Sequence, residues 1–313
     1  MWRLHICNTF FEKELESRAR RPLLHWMRAH PVVMQLQFLP LLYASPTDRI
    51  AVSDLPENPD PRLCLLDKPP KGYVLEDWGP SLAIAEWAKM HGIPYQIPDW
   101  EFVKKINSKI FSFTESPKLP GAELLKTSRD IAAWLEKTPG RKVLKTPFGT
   151  AGGGHRIDPN VKQLYMGPMI GEPWVERVID FSTQWKNGEL LGVTVFENEP
   201  NGTYRGTFAG NVEPWALQEH LDVARPLIRK MGYLGHVGID AFIYLWEGKK
   251  RLHPVVEINA RKTMSWVALQ MPEKSLYYTQ SKKGLLPSAL GKIQFLKNIT
   301  TSMYTECDSK IGR

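Results

Sequence analysis

GHVGIDAFIYLWEGKKRLHPVVEINARKT, residues 235–263, reads as two β-type runs around a turn. HVGIDAFIYLW and RLHPVVEINAR are rich in β-branched and aromatic residues and flank EGKK. A two-residue turn at Gly248-Lys249, or a four-residue EGKK loop, sets one register, with Asp240 directly opposite Glu257. Side chains alternate along a strand, so Asn259 shares the face of Glu257, and Arg261 follows on it opposite His236. Directly opposed side chains have Cβ atoms only ~4.5–5.5 Å apart, and like charges there destabilise the pair. Asp240 and Glu257 therefore need a cation, a shared proton or Arg261. Two carboxylates plus an amide oxygen suit a hard divalent ion such as Mg²⁺. A polar, solvent-facing strand face is the plainer alternative. Pro254 lacks a ladder donor, which fits an edge or a bulge, and a one-residue bulge would break this register.

Upstream, VLKTPFGTAGGGHR covers residues 143–156. An apolar strand ends in Lys145, and four glycines follow between Gly149 and Gly154. The stretch matches neither G-x-x-x-x-G-K-[ST] nor G-x-G-x-x-G. Backbone N–H groups in a glycine-rich loop approach phosphate oxygens closely, so a phosphate-covering loop and a plain surface turn are both open readings. His155 and Arg156 either reach a phosphate or are solvated.

The rest of the chain supplies the frame. RLCLLD is a buried strand, GPSLAIAEWAKMHG a helix ended by Gly92, and IPYQIP a short strand. That order suggests a small α/β layer with parallel pairing. ELESRARRPLLHWMRAH is a basic helix, or two around Pro22. WEFVKKINSKIF is helical in pattern, and TSRDIAAWLEKTPG is a helix capped by Thr127 or Ser128. EPWVERVID and FSTQWKNGELLGVTVFE are strands, with a hairpin turn at Asn187-Gly188. LDVARPLIRKMG is a helix ended by Gly232.

Three pieces in order, the lysine-bearing NSKIF, VLKTPFGTAGGGHR and the Asp…Glu-x-Asn-x-Arg hairpin, resemble the ATP-grasp superfamily in its carboxylate–amine ligase type. The resemblance covers roughly residues 100–270. It implies an α+β / α/β chain: an ATP-grasp fold behind a small N-terminal α/β (pre-ATP-grasp) domain. The expected domains are 1–100, an N-lobe over 101–185 and a C-lobe over 186–313 that carries the hairpin.

The resemblance also implies roles. Lys109 and Lys145 would contact the phosphates of ATP. Gly149, Thr150, Gly152, Gly153 and Gly154 would form the flexible loop over them. In WVERVIDF, Glu176 would accept from the adenine amino group, the Val178 backbone would touch the ring, and Asp180 would meet the ribose. Asp240, Glu257 and Asn259 would hold Mg²⁺, with Arg261 facing the transferred phosphoryl group. The family often has an arginine two residues before the first metal aspartate. Here that residue is Gly238, and His236, Arg205 or Arg261 would stand in.

Composition sets the outer limits. The chain has 313 residues, 42% hydrophobic and 24% charged, which describes a core-forming sequence. No apolar run is long enough to span a bilayer, so no membrane partner is expected. The N-terminal stretch fits neither a secretory signal nor a transit peptide, and the three scattered cysteines suggest a reducing compartment, so a cytoplasmic protein is expected. The net charge of +8 fits an anionic ligand. The basic residues are spread along the chain without a nucleic-acid motif, so a nucleic-acid partner is not expected. The eight histidines show no zinc spacing. The stretch after Pro272 would cover the grasp domain or mediate a homodimer.

The expected function is a ligase with ATP and Mg²⁺ as cofactors. It would activate a small-molecule or peptide carboxylate as an acyl phosphate and join it to an amine, or a thiol. Two alternatives are a kinase of the same fold, acting on a hydroxyl of a small anionic substrate, and a non-catalytic nucleotide-binding module.

Overall fold

The computed structural model describes residues 2–149, 154–159, 167–198, 204–281 and 284–287. The chain falls into two compact units, residues 1–100 with 270–313, and residues 101–269.

In the first unit, β1 (Arg3–Ile6) leads to helices α1 (Phe11–Glu16), α2 (Leu23–Arg28) and α3 (Pro31–Leu36). Strands β2 (Arg49–Val52), β3 (Leu63–Leu65) and β4 (Val74–Asp77) follow, then α4 (Leu82–Met90). The sheet order is β3-β2-β1-β4, and every pairing is parallel. This is the expected small α/β layer. Its core joins Leu4, Ile6, Phe10, Trp26, Ile84 and Trp87. One reading needs correction, and one alternative is settled. IPYQIP is irregular rather than a strand, since its two prolines remove ladder donors. The basic segment is two short helices broken over residues 17–22. Pro22, with ψ at 150°, starts the second one and cannot continue the first.

The second unit opens with α5 (Trp100–Ile106) and α6 (Lys109–Glu115). They are separate helices because Ser108 leaves the helical region and caps the second one, accepting from the Ile110 amide at 3.3 Å. A small antiparallel sheet follows, built from β5 (Glu123–Leu125), β6 (Lys142–Lys145), β7 (His155–Ile157) and β8 (Met169–Pro173), in the order β5-β8-β6-β7. Helix α7 (Ser128–Lys137) starts at a capping box between Thr127 and Asp130. Its Ile131, Trp134 and Leu135 seal one face of the small sheet through Leu125, Leu144 and Met169.

The large antiparallel sheet contains β9 (Glu176–Lys186), β10 (Glu189–Asn198), β11 (Tyr204–Ala209), β12 (His236–Trp246) and β13 (Lys249–Asn259), and α8 (Pro214–Met231) precedes the last hairpin. Their order is β13-β12-β9-β10-β11. Asn187 and Glu247, with the glycine after each, have positive φ, so both hairpins turn as type I′. Helix α8 begins seven residues before the expected LDVARPLIRKM, with Pro214 in its first turn. It covers the face carrying Val237, Ile239, Ala241 and Ile243. After α9 (Met264–Gln270), β14 (Ser275–Ser281) pairs antiparallel with β15 (Gly284–Pro287). Among the described residues no helix is long and apolar enough to cross a membrane.

The deciding hairpin holds a correction within a success. Asp240 does face Glu257. The turn, however, is at Glu247-Gly248, with Trp246 opposite Lys249. A bulge then restores the register. Phe242 pairs with His253 and Asp240 with Glu257, so Ala241 faces a stretch of three residues, Pro254 to Val256. The displaced carbonyls are satisfied: Pro254 O accepts from His220 Nδ1 at 2.7 Å, and Val255 O from Ser116 Oγ at 3.4 Å.

Candidate active site

Strand β13 ends the sheet order, and polar side chains of α6 and of the link before it accept from an amide near its end and from one just after it. The Ile258 amide donates to Ser112 Oγ at 3.1 Å, and the Ala260 amide to Asn107 Oδ1 at 2.8 Å. The Lys109 amide donates to Pro147 O at 2.8 Å, which ties the start of α6 to the turn after β6. These bonds put the buried Lys109 beside Glu257, with Nζ 2.6 Å from Oε1 and 3.3 Å from Gly149 O.

Beside Glu257 a polar chain crosses the hairpin. Asn259 Nδ2 donates to Asp240 Oδ2 at 3.2 Å, and Arg261 Nη2 to Asn259 Oδ1 at 3.0 Å. Ser182 and Gln184 lie opposite Asp240 and Gly238 on β9, so they belong to the same face. Gln184 Nε2 donates to Ser182 Oγ at 2.7 Å, and Gln184 Oε1 accepts from Thr263 Oγ1 at 2.6 Å.

The electrostatics are uneven. Burial first, then Glu257 opposite, pushes Asp240 up to about 7, with Ser182 and Arg261 pulling the other way. Burial also pushes Glu257 up, but the charge and hydrogen bond of Lys109, with Arg261 and His155, together outweigh it and hold Glu257 below the usual range. A proton or a cation is thus needed at Asp240, as its opposition to Glu257 requires. Among the described residues no three His, Cys, Asp or Glu side chains cluster as a metal cage. An ion here would complete its shell from a ligand's oxygens, as Mg²⁺ commonly does. The donor set fits that ion.

A second polar group lies on the small sheet. Leu144 and Gly171 face Trp134, and a Cβ on Gly171 would come within 2.8 Å of that indole. Lys145, Glu172 and His155 take the other face. Lys145 and Glu172 form a buried ion pair. Burial raises Glu172, yet Lys145 and then His253 hold it below the usual range. His155 reaches the surface, but dehydration first, with Lys145 and Lys109 beside it, brings its pKa down to about 4.

No family model matches the chain. One curated relative, the [butirosin acyl-carrier protein]–L-glutamate ligase of Niallia circulans, is 32% identical over 140 residues, covering 39% of this chain and 33% of that protein. The match thus spans about a third of that relative's length. Among solved structures, N5-carboxyaminoimidazole synthetase from Staphylococcus aureus, complexed with ADP, superposes with a TM-score of 0.53 over 86% of this chain and 72% of its own, at 14% identity. An ADP complex of N5-carboxyaminoimidazole ribonucleotide synthetase superposes with a TM-score of 0.52, over 85% and 71% of the two chains, at 13% identity. The fold is that of the ATP-grasp enzymes.

On that ATP-grasp frame the remaining expected residues are scattered. Thr150, Gly152 and Gly153 lie outside the described residues. Gly149 accepts from Lys109, and Gly154 closes the turn, its carbonyl accepting from the Thr146 amide at 3.0 Å. Gly154 has φ +97°, and a Cβ there would lie 2.9 Å from Phe148 O. Glu176 and Val178 are exposed at the start of β9. Val178 is bulged, because Arg177 and Ile179 pair with adjacent residues of β12. Asp180 is engaged on both oxygens, by Arg177 Nη1 at 2.8 Å and Asn198 Nδ2 at 3.1 Å. His236 opens β12 and packs edge-on against Trp266 at 4.8 Å between centroids. Arg205 is exposed on β11.

Gly238 stands where the resemblance leads one to expect an arginine, and the site leaves little room for a side chain there. A Cβ there would meet Thr263 Cγ2 at 2.7 Å and Gln184 Nε2 at 3.2 Å. Ser182, Gln184, Thr263 and Asn107 were not anticipated. The polar alternation of Asp180, Ser182 and Gln184 was the available signal for two of them. Glu172 reads in sequence as an exposed strand acid and is in fact buried.

Proposed function

We propose that this chain is an ATP-dependent ligase that activates a carboxylate as an acyl phosphate and joins it to an amine or thiol. The observation that carries this reading is the opposed Asp240–Glu257 pair with Lys109 bonded to Glu257. It matches the three ordered motifs of the sequence on an ATP-grasp fold. The curated relative's name, a ligase of glutamate and an acyl-carrier protein, supports the same chemistry.

In this reading Asp240, Glu257 and Asn259 hold Mg²⁺, which neutralises the phosphate oxygens when bound. The Asn259 amide now turns its nitrogen to Asp240, so it turns over to offer its oxygen. Glu257 would then hold the ion, and Lys109, now bonded to Glu257, would serve the phosphate chain. Lys145 approaches the phosphates from the small sheet. Gly149 and Gly154 frame the loop that would cover them, and the open backbone at Val178 meets the adenine beside Glu176. Asp180 reaches the ribose. Arg261, which the turn of the Asn259 amide releases from Oδ1, faces the transferred phosphoryl group, where positioning and charge account for most of the catalysis. The lobes divide near residue 185, and the protein works in the cytoplasm.

The test traps the intermediate. The protein is incubated with Mg-ATP, hydroxylamine and a panel of amino acids and small carboxylates, and hydroxamate and ADP are measured together. Equal amounts of both, lost in Glu257→Gln, are expected. ADP with a phosphate ester and no hydroxamate would instead assign a kinase.

A further inference from the structure

The nucleotide reading leaves Glu172 without a role. Its place follows from register: Lys145 is opposite Ile170 and Val143 opposite Glu172, so Lys145 and Glu172 are diagonal neighbours on one face. Their side chains are 4% and 7% exposed. A carboxylate buried this deeply costs several kcal/mol unless a partner compensates it. The far face of the ladder is sealed by Trp134, which fixes the direction in which both side chains point.

The groups around this pair are otherwise cationic or neutral. His155 faces Lys145 directly from β7. Arg177 on β9 and His253 on β13 act on Glu172, and Lys109 on α6 acts on His155. His155 and His253 are both held to about 4, so both are neutral near pH 7. The nearby Glu257 is bonded to Lys109.

We propose that Glu172 is the positioning residue for Lys145: it fixes the ammonium on the site face and supplies the counter-charge for its burial, so that the ammonium meets the nucleotide phosphates. An ammonium has three donors, so one bond to Glu172 leaves others for the phosphates. Without that carboxylate the buried ammonium loses the partner that compensates its burial. The inference rests on the nucleotide reading above.

Calorimetric titration with Mg-ATP at about pH 7.5 and about pH 9.5, above the titration of Asp240 and the terminal phosphate, tests it. Wild-type Kd should stay within about twofold between the two, while Glu172→Gln, uncharged but similar in shape, should weaken by about tenfold more. Glu172→Gln/Lys145→Arg should lose that pH dependence, because a guanidinium does not titrate in this range. A pH-independent Glu172→Gln would overturn the inference and leave the nucleotide reading standing. Absence of binding by wild type would overturn both. If Glu172→Gln does not fold, Glu172→Asp decides: a Kd raised by about threefold or more supports the role, and an unchanged Kd refutes it.

Discussion

Asp240 and Glu257 face each other across β12 and β13, yet their carboxyl groups are pushed in opposite directions. Asp240 is raised to about 7, while Lys109 keeps Glu257 low. Lys109 bonds Glu257 alone, and Asp240, where burial and Glu257 outweigh Ser182 and Arg261, is the acid that takes up a proton first.

Asp240→Asn should therefore stabilise the unliganded protein. Its folded pKa lies above the unfolded value, so the stability it favours is full below about 4 and falls as pH rises towards 7. The variant should melt above wild type at pH 8 and converge with it near pH 4, while losing Mg²⁺-dependent ATP binding. Thermal melts across pH give the answer. A wild type that is more stable at pH 8 would contradict the assignment.

Lys109→Met removes the cation and leaves Glu257 facing Asp240. Breaking one side of a buried pair costs about 3–5 kcal/mol. Lys109→Met/Glu257→Gln should cost clearly less than the single change in urea unfolding. Equal costs would show that the pair does not matter to stability.

Gly238→Ala brings a methyl against Thr263 and Gln184, on the same face as Asp240. Overpacking of this kind costs about 1–3 kcal/mol. Chemical denaturation should show that loss, together with weaker metal-dependent ATP binding. A variant as stable as wild type would mean that the strand can move aside.

His220 should make the fold acid-sensitive. Burial lowers its pKa to about 4, with the bond to Pro254 opposing. Its folded pKa is below the unfolded one, so its contribution is present above about 6.5 and is lost as pH falls towards 4. His220→Gln should lower stability at pH 7 by about 1–3 kcal/mol through lost hydrogen bonds. It should also flatten the acid limb of a stability–pH curve. An unchanged acid limb would assign that loss to other groups.

The hairpin, the small parallel layer and the motif order were legible in the sequence because strand alternation and turn residues are local signals. The bulge was not. Pro254 announces a missing donor, but only His220 and Ser116, distant in sequence, make a three-residue excursion affordable. Glu172 shows the same limit from another side. Its burial depends on Lys145 across a ladder and on Trp134 behind it. The polar residues Asn107, Lys109 and Ser112 read as part of a solvated helical stretch, because nothing near them in sequence shows that they cover the edge of β13.

The compensated hairpin has a consequence for chain-length variation. The turn at Glu247-Gly248 and the excursion at Pro254 to Val256 offset one another, so the tip is insulated from the acidic pair. Segments added in even numbers beyond Phe242 and His253 would keep the inner register. The tip is therefore a natural place to graft a reporter dye or an affinity tag without disturbing Asp240 and Glu257.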